Sequence, residues 1–202
     1  QRIKREVRGK GQDAGLHHKW LECMRRKLGV PWQAIGNEEP VMPMTTISDT
    51  FDRADQVGLG TSSEGWSWTA GVHNIRSNQA RISTIGGLAR AGIALSTDDH
   101  YSQADWYLNG STNSGCGVAT RCDASEVSCY VSYINIPGSA NIYKAVAGVF
   151  TDLGPNGTVT AVSGLPVKLA SDGSVHRLYY NGALVGEVTD SALSGQLLTG
   201  FL

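Results

Sequence analysis

From Asp49 onward the chain is built of short runs in which apolar and polar residues alternate, each closed by Gly, Asn, Asp or Ser. A period of two sends successive side chains to opposite faces of a pleated strand, so the pattern commits this region to β-sheet with one buried face. Trp66 and Trp68 alternate with Ser67 and Thr69, and Ser102, Ala104, Trp106 and Leu108 oppose Tyr101, Gln103, Asp105 and Tyr107. Further runs over 88–96, 117–122, 127–134, 141–150, 158–162, 166–170, 174–180 and 183–189 recur at about ten residues per strand and turn, the spacing of a sandwich or barrel. Asn181-Gly182 is the sharpest hairpin signal, because a two-residue type I′ turn needs positive φ at both positions. Asp172-Gly173 and Asn156-Gly157 read the same way. With no amphipathic run of helix length inside the series, the expected fold is all-β, a two-sheet antiparallel jelly-roll sandwich carrying an N-terminal helical arm.

The first part of the chain differs in charge and in period. Residues 1–32 hold nine Lys or Arg against three acids, and residues 44–202 hold eight against thirteen, an asymmetry hidden by the net charge of -1. Leu16, Trp20, Met24 and Leu28 recur every fourth position, which predicts one amphipathic helix over 13–28. Asp13 is its N-cap, Arg25, Arg26 and Lys27 favour its C-terminal dipole, and Gly29 with Pro31 stops it. Pro31, Pro40 and Pro43 make the following stretch an extended connector. The expected division is therefore 1–43, a basic arm, and 44–202, the β-domain.

A lone helix of this length is marginal in water, so its apolar face needs a partner. Its own β-domain and a neighbouring subunit both remain open. On the second reading Leu16, Trp20, Met24, Leu28, Arg25 and Arg26 are assembly contacts. Nucleic acid is disfavoured, since Arg2, Lys4, Arg5, Arg8 and Lys10 lack interleaved aromatics and no recognition module follows. No run reaches the length of a membrane helix, and Gln1 opens no leader of the secretory kind. A numbered chain starting without Met leaves open that it is a piece of a longer one.

The residues of the β-domain resemble a known family. Asp49-Thr50-Phe51-Asp52-Arg53-Ala54-Asp55, then Leu59-Gly60, Gly65-Trp66, Tyr143-Lys144 before Gly148, Asn181-Gly182, and Val188-Thr189-Asp190 with Gly195, are similar to the concanavalin A-like lectin/glucanase fold. More narrowly they resemble the laminin-G-like modules of tailed-bacteriophage virion proteins, over residues 45–202. The resemblance implies that Phe51 enters the core near the first strand.

Three function classes can be weighed. The glucanases of this fold carry acids two residues apart on one strand, so that both reach one face at glycosidase separation. Here Glu64, Glu126 and Glu187 are widely separated, and Asp98/Asp99, Asp49/Asp52 and Asp52/Asp55 sit in turn or strand-opening contexts, so no catalytic residue is expected. His73, His100 and His176 belong to no nucleophile motif and read as satisfied surface or edge histidines. Cys23, Cys116, Cys122 and Cys129 lack zinc spacing, although Cys122 and Cys129 straddle a turn and can approach each other. No cofactor or resident metal is expected. The resemblance raises calcium, for which Asp98, Asp99 and Asn74 offer oxygens without forming a dense acidic loop.

Sugar binding is the second class. If Ala104, Trp106 and Leu108 face the core, Gln103, Asp105 and Tyr107 face outward, with Arg121 on the next strand completing a quartet that touches a glycan. The third class is structural: a virion protein of a tailed bacteriophage, a minor tail or capsid decoration component assembled in the host cytoplasm. It would join other virion subunits through residues 1–32, as a homo- or hetero-oligomer, and contact host-surface polysaccharide. This third class uses the charge split, arm and connector together and is the primary expectation. The alternatives are a stand-alone carbohydrate-binding module and, behind it, a jelly-roll glycoside hydrolase or lyase.

Overall fold

The structure is a computed structural model and describes residues 46–70, 73–82, 87–107, 115–125, 128–136 and 138–202. The expected helix with Leu16, Trp20, Met24, Leu28, Arg25 and Arg26, the connector and Leu108 lie outside the described residues. Pro43–Leu202 form one unit.

Among the described residues every regular element is a strand: β1 (Gln56–Val57), β2 (Trp68–Ala70), β3 (His73–Arg76), β4 (Gln79–Ile82), β5 (Ala89–Ala91), β6 (His100–Trp106), β7 (Gly115–Cys116) and β8 (Val118–Cys122). After these come β9 (Cys129–Asn135), β10 (Ser139–Val146), β11 (Val149–Thr158), β12 (Leu165–Asp172), β13 (Val175–Tyr180), β14 (Ala183–Thr189) and β15 (Leu198–Phe201). An eight-stranded sheet runs β11-β10-β9-β8-β15-β5-β2, with β7 on β9, and a four-stranded sheet runs β14-β13-β12-β6. All named strand pairs are antiparallel, as the alternation implied. A small third sheet, β1-β3-β4, is added at the start of the unit.

The turns obey backbone sterics. Asn181 and Gly182, at φ 49° and 77°, form the expected two-residue turn between β13 and β14. Gly173 has φ 54° in the turn between β12 and β13. Ser77-Asn78 and Ala147-Gly148 close two further hairpins with positive φ at both positions, although neither carries the Asn-Gly signature. The run 141–150 is therefore two strands and a turn rather than one strand. Asn156-Gly157 is not a turn: it lies within β11, where the positive φ of Gly154 and Asn156 accommodates register shifts against β10. Beyond Thr158 the run 158–162 leaves the sheet.

Between the two large sheets lie Trp106, Val118, Tyr130, Ile142, Leu169 and Leu178, all buried and drawn from both. Leu59, Ile75 and Ala89 form a second cluster with Phe51, Trp68 and Phe201 against it. Asp49 organises that end. Its carboxylate, on a side chain 1% exposed, accepts from the Phe51 amide, the Trp68 indole at 2.6 Å and both Arg53 terminal nitrogens. The Asp-x-Phe-x-Arg opening is thus a hydrogen-bonded bracket that seats Phe51, half-buried, on Trp68 and Phe201.

Polar groups also cross the inter-sheet space. Thr120 on β8 lies 2.7 Å from Ser171 on β12, and Ser171 lies 2.8 Å from His176 Nδ1 on β13. His176 Nε2 is 2.9 Å from the Asp190 carbonyl, which can only accept, so Nε2 carries the proton and Nδ1 accepts from Ser171. The Asp190 carboxylate takes hydrogen bonds from Tyr130 on β9 and from Lys144 on β10. Burial opposes its charge, yet the bonds from Lys144 and Tyr130 hold its pKa at about 2. Cys116, Cys122 and Cys129 are free thiols, the last two hydrogen-bonded to each other.

The histidines correct one expectation. His73 and His176 are buried rather than at the surface, and neither ring nitrogen of His73 has a hydrogen-bond partner among the described residues. Its ring instead packs edge-on against Phe201, and burial lowers its pKa from 6.5 to about 4. The unfolded chain takes up this proton first, so His73 makes stability fall as pH drops from about 6.5 towards 4. Below the usual carboxyl value of 3.8 the loss continues as Asp190 is protonated towards about 2. Denaturant midpoints measured across this range should show His73→Phe reducing the slope in the upper window and leaving the lower one. The reduction is partial, because burial also depresses His100 and His176.

Candidate functional site

β6 is one of the two edge strands of the four-stranded sheet. Its alternation is regular: Ser102, Ala104 and Trp106 turn inward, and Tyr101, Gln103, Asp105 and the following Tyr107 are exposed. Tyr101 and Tyr107 are 54% and 55% exposed. Gln103, Asp105 and Tyr107 engage no protein group among the described residues, so their donors and acceptors face solvent. Three of the four residues expected to form a sugar-binding quartet therefore share one face.

Arg121 does not join them. It is fully buried on β8, with φ 49°, and its side chain runs to the loop before β6. Nε donates to the Asp98 carbonyl at 2.9 Å, and Nη2 lies 3.2 Å from the Asp99 carboxylate and 3.5 Å from that of Asp98. The Arg121 amide donates to His100 Nε2 at 3.1 Å, while His100 Nδ1 sits 3.0 Å from the Thr97 carbonyl. Strict alternation would have turned Arg121 outward; the left-handed backbone at this residue breaks the alternation, and Cys122 joins Ala119 in one apolar cluster.

The acids considered for calcium are committed elsewhere. Asp98 also accepts from the Gly195 amide and Asp99 from the Gly173 amide, both at 2.7 Å, while the Asn74 side-chain oxygen accepts from Gly58. Among the described residues no group of three His, Cys, Asp or Glu side chains is arranged to hold a metal ion.

Beside β6 a cavity of about 570 Å³ opens between residues 46–51, the 95–100 loop, β6 and β15. Trp66, Trp68, Phe51 and Phe201 give it an aromatic wall, and Ser96, Thr97, Ser102 and Gln103 give it polar groups. Tyr101 and Gln103 also line it, so the cavity and the exposed strand form one continuous surface. Its size falls in the range of small-molecule sites, with the mixture of aromatic wall and few polar groups typical of them. Of the run Trp66-x-Trp68, read as strand, only Trp68 lies in one, and its place in the cavity wall depends on β15, a strand the alternation did not reveal.

On the same sheet face, Lys168 of β12 stands opposite Gln103 of β6 and Tyr179 of β13. Its ammonium lies 4.2 Å from the Tyr101 ring centre and 5.5 Å from that of Tyr179. Arg177, further along β13, is paired with Glu187 at 2.6 Å and with Asp172 at 3.6 Å.

No protein-family model matches this chain, and no curated protein matches it. Among solved structures, carbohydrate binding module CBM66 from Bacillus subtilis is similar, with TM-score 0.58 and 14% identity over 67% of this chain and 86% of that one. LamAcat from Zobellia galactanivorans is similar with TM-score 0.50 and 11% identity, over 78% of this chain and 86% of its own. A LamA variant from Z. galactanivorans in complex with laminaritriose and laminaritetraose gives TM-score 0.50 and 11% identity, over 78% and 88%. At these identities the likeness is one of fold alone: the chain shares the β-sandwich architecture of these structures. Nothing in these three likenesses indicates a phage virion.

Arg121 ties the loop leading into β6 to β8, so it supports the surface without contributing to it. Arg121→Ala empties a fully buried site and removes the bonds to Asp98 and Asp99, whose side chains are partly exposed, so the lost packing is expected to cost about 2 kcal/mol of stability in denaturant unfolding. Arg121→Met, which keeps the bulk without the charge, should recover part of that loss.

Proposed function

We propose that the β-unit is a carbohydrate-binding module that lays a glycan along β6, with Tyr101, Gln103, Asp105 and Tyr107 on one side and the Trp66/Trp68 cavity receiving a sugar ring. The observation that carries this reading is the continuity of an exposed Tyr-x-Gln-x-Asp-x-Tyr strand edge with a 570 Å³ cavity walled by tryptophans. A sugar presents apolar C–H faces and a rim of hydroxyls. Aromatic rings match the first, and side chains that both donate and accept match the second.

The similar structures, a carbohydrate binding module and a protein in complex with laminari-oligosaccharides, support the same ligand class. Binding is preferred to cleavage because β6, β12 and β14 carry Asp105, Asp172 and Glu187, one acid each, whereas glycosidases need two carboxyls held across one bond. Display on a tailed-phage particle through residues 1–32 is a further proposal that rests on the sequence of the arm alone. In particle preparations from the producing cells, the full chain should sediment with particles and a chain lacking residues 1–32 should not. Incorporation of the truncated chain would end that reading.

Binding is tested by affinity electrophoresis and calorimetry of the full chain against a polysaccharide panel that includes laminarin. At least one polysaccharide should retard the protein, with Tyr101→Ala and Gln103→Ala each weakening binding about tenfold, equivalent to about 1.4 kcal/mol. Reducing-sugar release should stay at background. Retardation unaffected by both substitutions would reject this surface, and steady release of reducing ends would replace a binding module with a hydrolase.

A further inference from the structure

Lys168 has an environment unlike that of five other described cations, each of which sits against a carboxylate. Arg53 is paired with Asp49, Arg76 with Asp55, Arg121 with Asp98 and Asp99, Lys144 with Asp190, and Arg177 with Glu187. Lys168 instead lies over two tyrosine rings, at 4.2 Å and 5.5 Å, and meets no carboxylate among the described residues. The ring faces attract the ammonium and hold it near the middle of the sheet face, but they are poor acceptors for its three N–H groups. A half-buried ammonium fixed in place without an anion is prepared for one that arrives from solution.

Its nearest acids are turned to other work or face another direction. Glu187 and Asp172 are taken by Arg177. Asp105 stands opposite Pro166, diagonal to Lys168 in the sheet register, and forms no ion pair with it. The surface thus has a positive centre beside Tyr101 and Gln103 and a negative one further along β6, towards Tyr107.

We propose that the glycan held on this surface is acidic, and that Lys168, positioned by Tyr101 and Tyr179, binds the carboxylate or sulfate of a sugar ring lying over Tyr101 and Gln103. This inference rests on the carbohydrate-binding reading above and names the substrate class for it. The anion supplies the acceptors that the tyrosine rings lack, and a charge-assisted bond in a partly desolvated site is stronger than a neutral one. Asp105 limits the footprint, because a second acid group placed over it would be repelled.

The test uses matched pairs: polygalacturonate, alginate and hyaluronan, each beside its carboxyl-reduced form, and κ-carrageenan beside its desulfated form, titrated with the full chain. In at least one pair the acidic member should bind about tenfold more tightly than its neutral counterpart, a difference of about 1.4 kcal/mol. The preference should shrink as salt is raised, since added ions screen partly exposed charges. Lys168→Met should erase most of the preference, Lys168→Arg should keep it, and Asp105→Asn should increase it. Carboxylate and sulfate are separated by which pair shows the preference. Equal affinities within every pair, or a preference that survives Lys168→Met, would overturn the proposal while leaving glycan binding intact. Failure of every polysaccharide, acidic and neutral, to bind would overturn both readings together.

Discussion

The two large sheets are joined by a polar chain that must be complete to be tolerated. Thr120, Ser171, His176 and the Asp190 carbonyl are aligned donor to acceptor, and the Asp190 carboxylate closes the chain onto Tyr130 and Lys144. These groups come from β8, β9, β10, β12, β13 and the residue after β14, so one network spans both layers. Each bond is modest on its own, but a buried donor left without an acceptor costs about 1–3 kcal/mol. Sliding either sheet by one residue along the other would leave most of these groups unpaired. The network therefore selects one alignment of the sheets among the many that hydrophobic burial alone would accept.

That alignment determines where the binding surface can be. The four-stranded sheet ends at β6 while the eight-stranded sheet continues past it through β15, β5 and β2. The mismatch in width leaves a gap beside β6, lined by Thr199, Gly200 and Phe201 of β15, and the tryptophans of the 66–68 segment fill only part of it. Asp49 pins residues 49–53 across that end, and Arg121 anchors the loop into β6 from the opposite side. The outward side chains of β6 are thus carried on a strand braced at its start and paired along its length with β12. A rigid strand edge of this kind presents aromatic and amide groups without the entropic loss of ordering a loop.

Much of the β-fold was legible because period-two patterning reports burial on a sheet face directly. The outward set Gln103, Asp105 and Tyr107 was read correctly for the same reason, and Asn181-Gly182 because its steric requirement is local. Arg121 was misread because alternation assumes a regular strand, and a single left-handed residue reverses the facing of the residues after it. Ser77-Asn78 and Ala147-Gly148 were missed since only the second residue of each favours positive φ by type, while Ser77 and Ala147 take it up under strand pairing. Lys168 and Tyr179 face each other across the β12–β13 hairpin, but Tyr101 is distant in the chain on β6, so no local pattern could bring all three together.

The sequence by itself determined the β-class, the approximate place of several strands and the outward face of β6, because these depend on side-chain direction and turn sterics within a few residues. The tertiary structure alone decided the burial of His73, His176 and Arg121, the cavity beside β6 and the lysine held between two tyrosines. Those depend on which strands become neighbours, and strand pairing is a long-range choice made by packing and polar satisfaction across the whole sandwich.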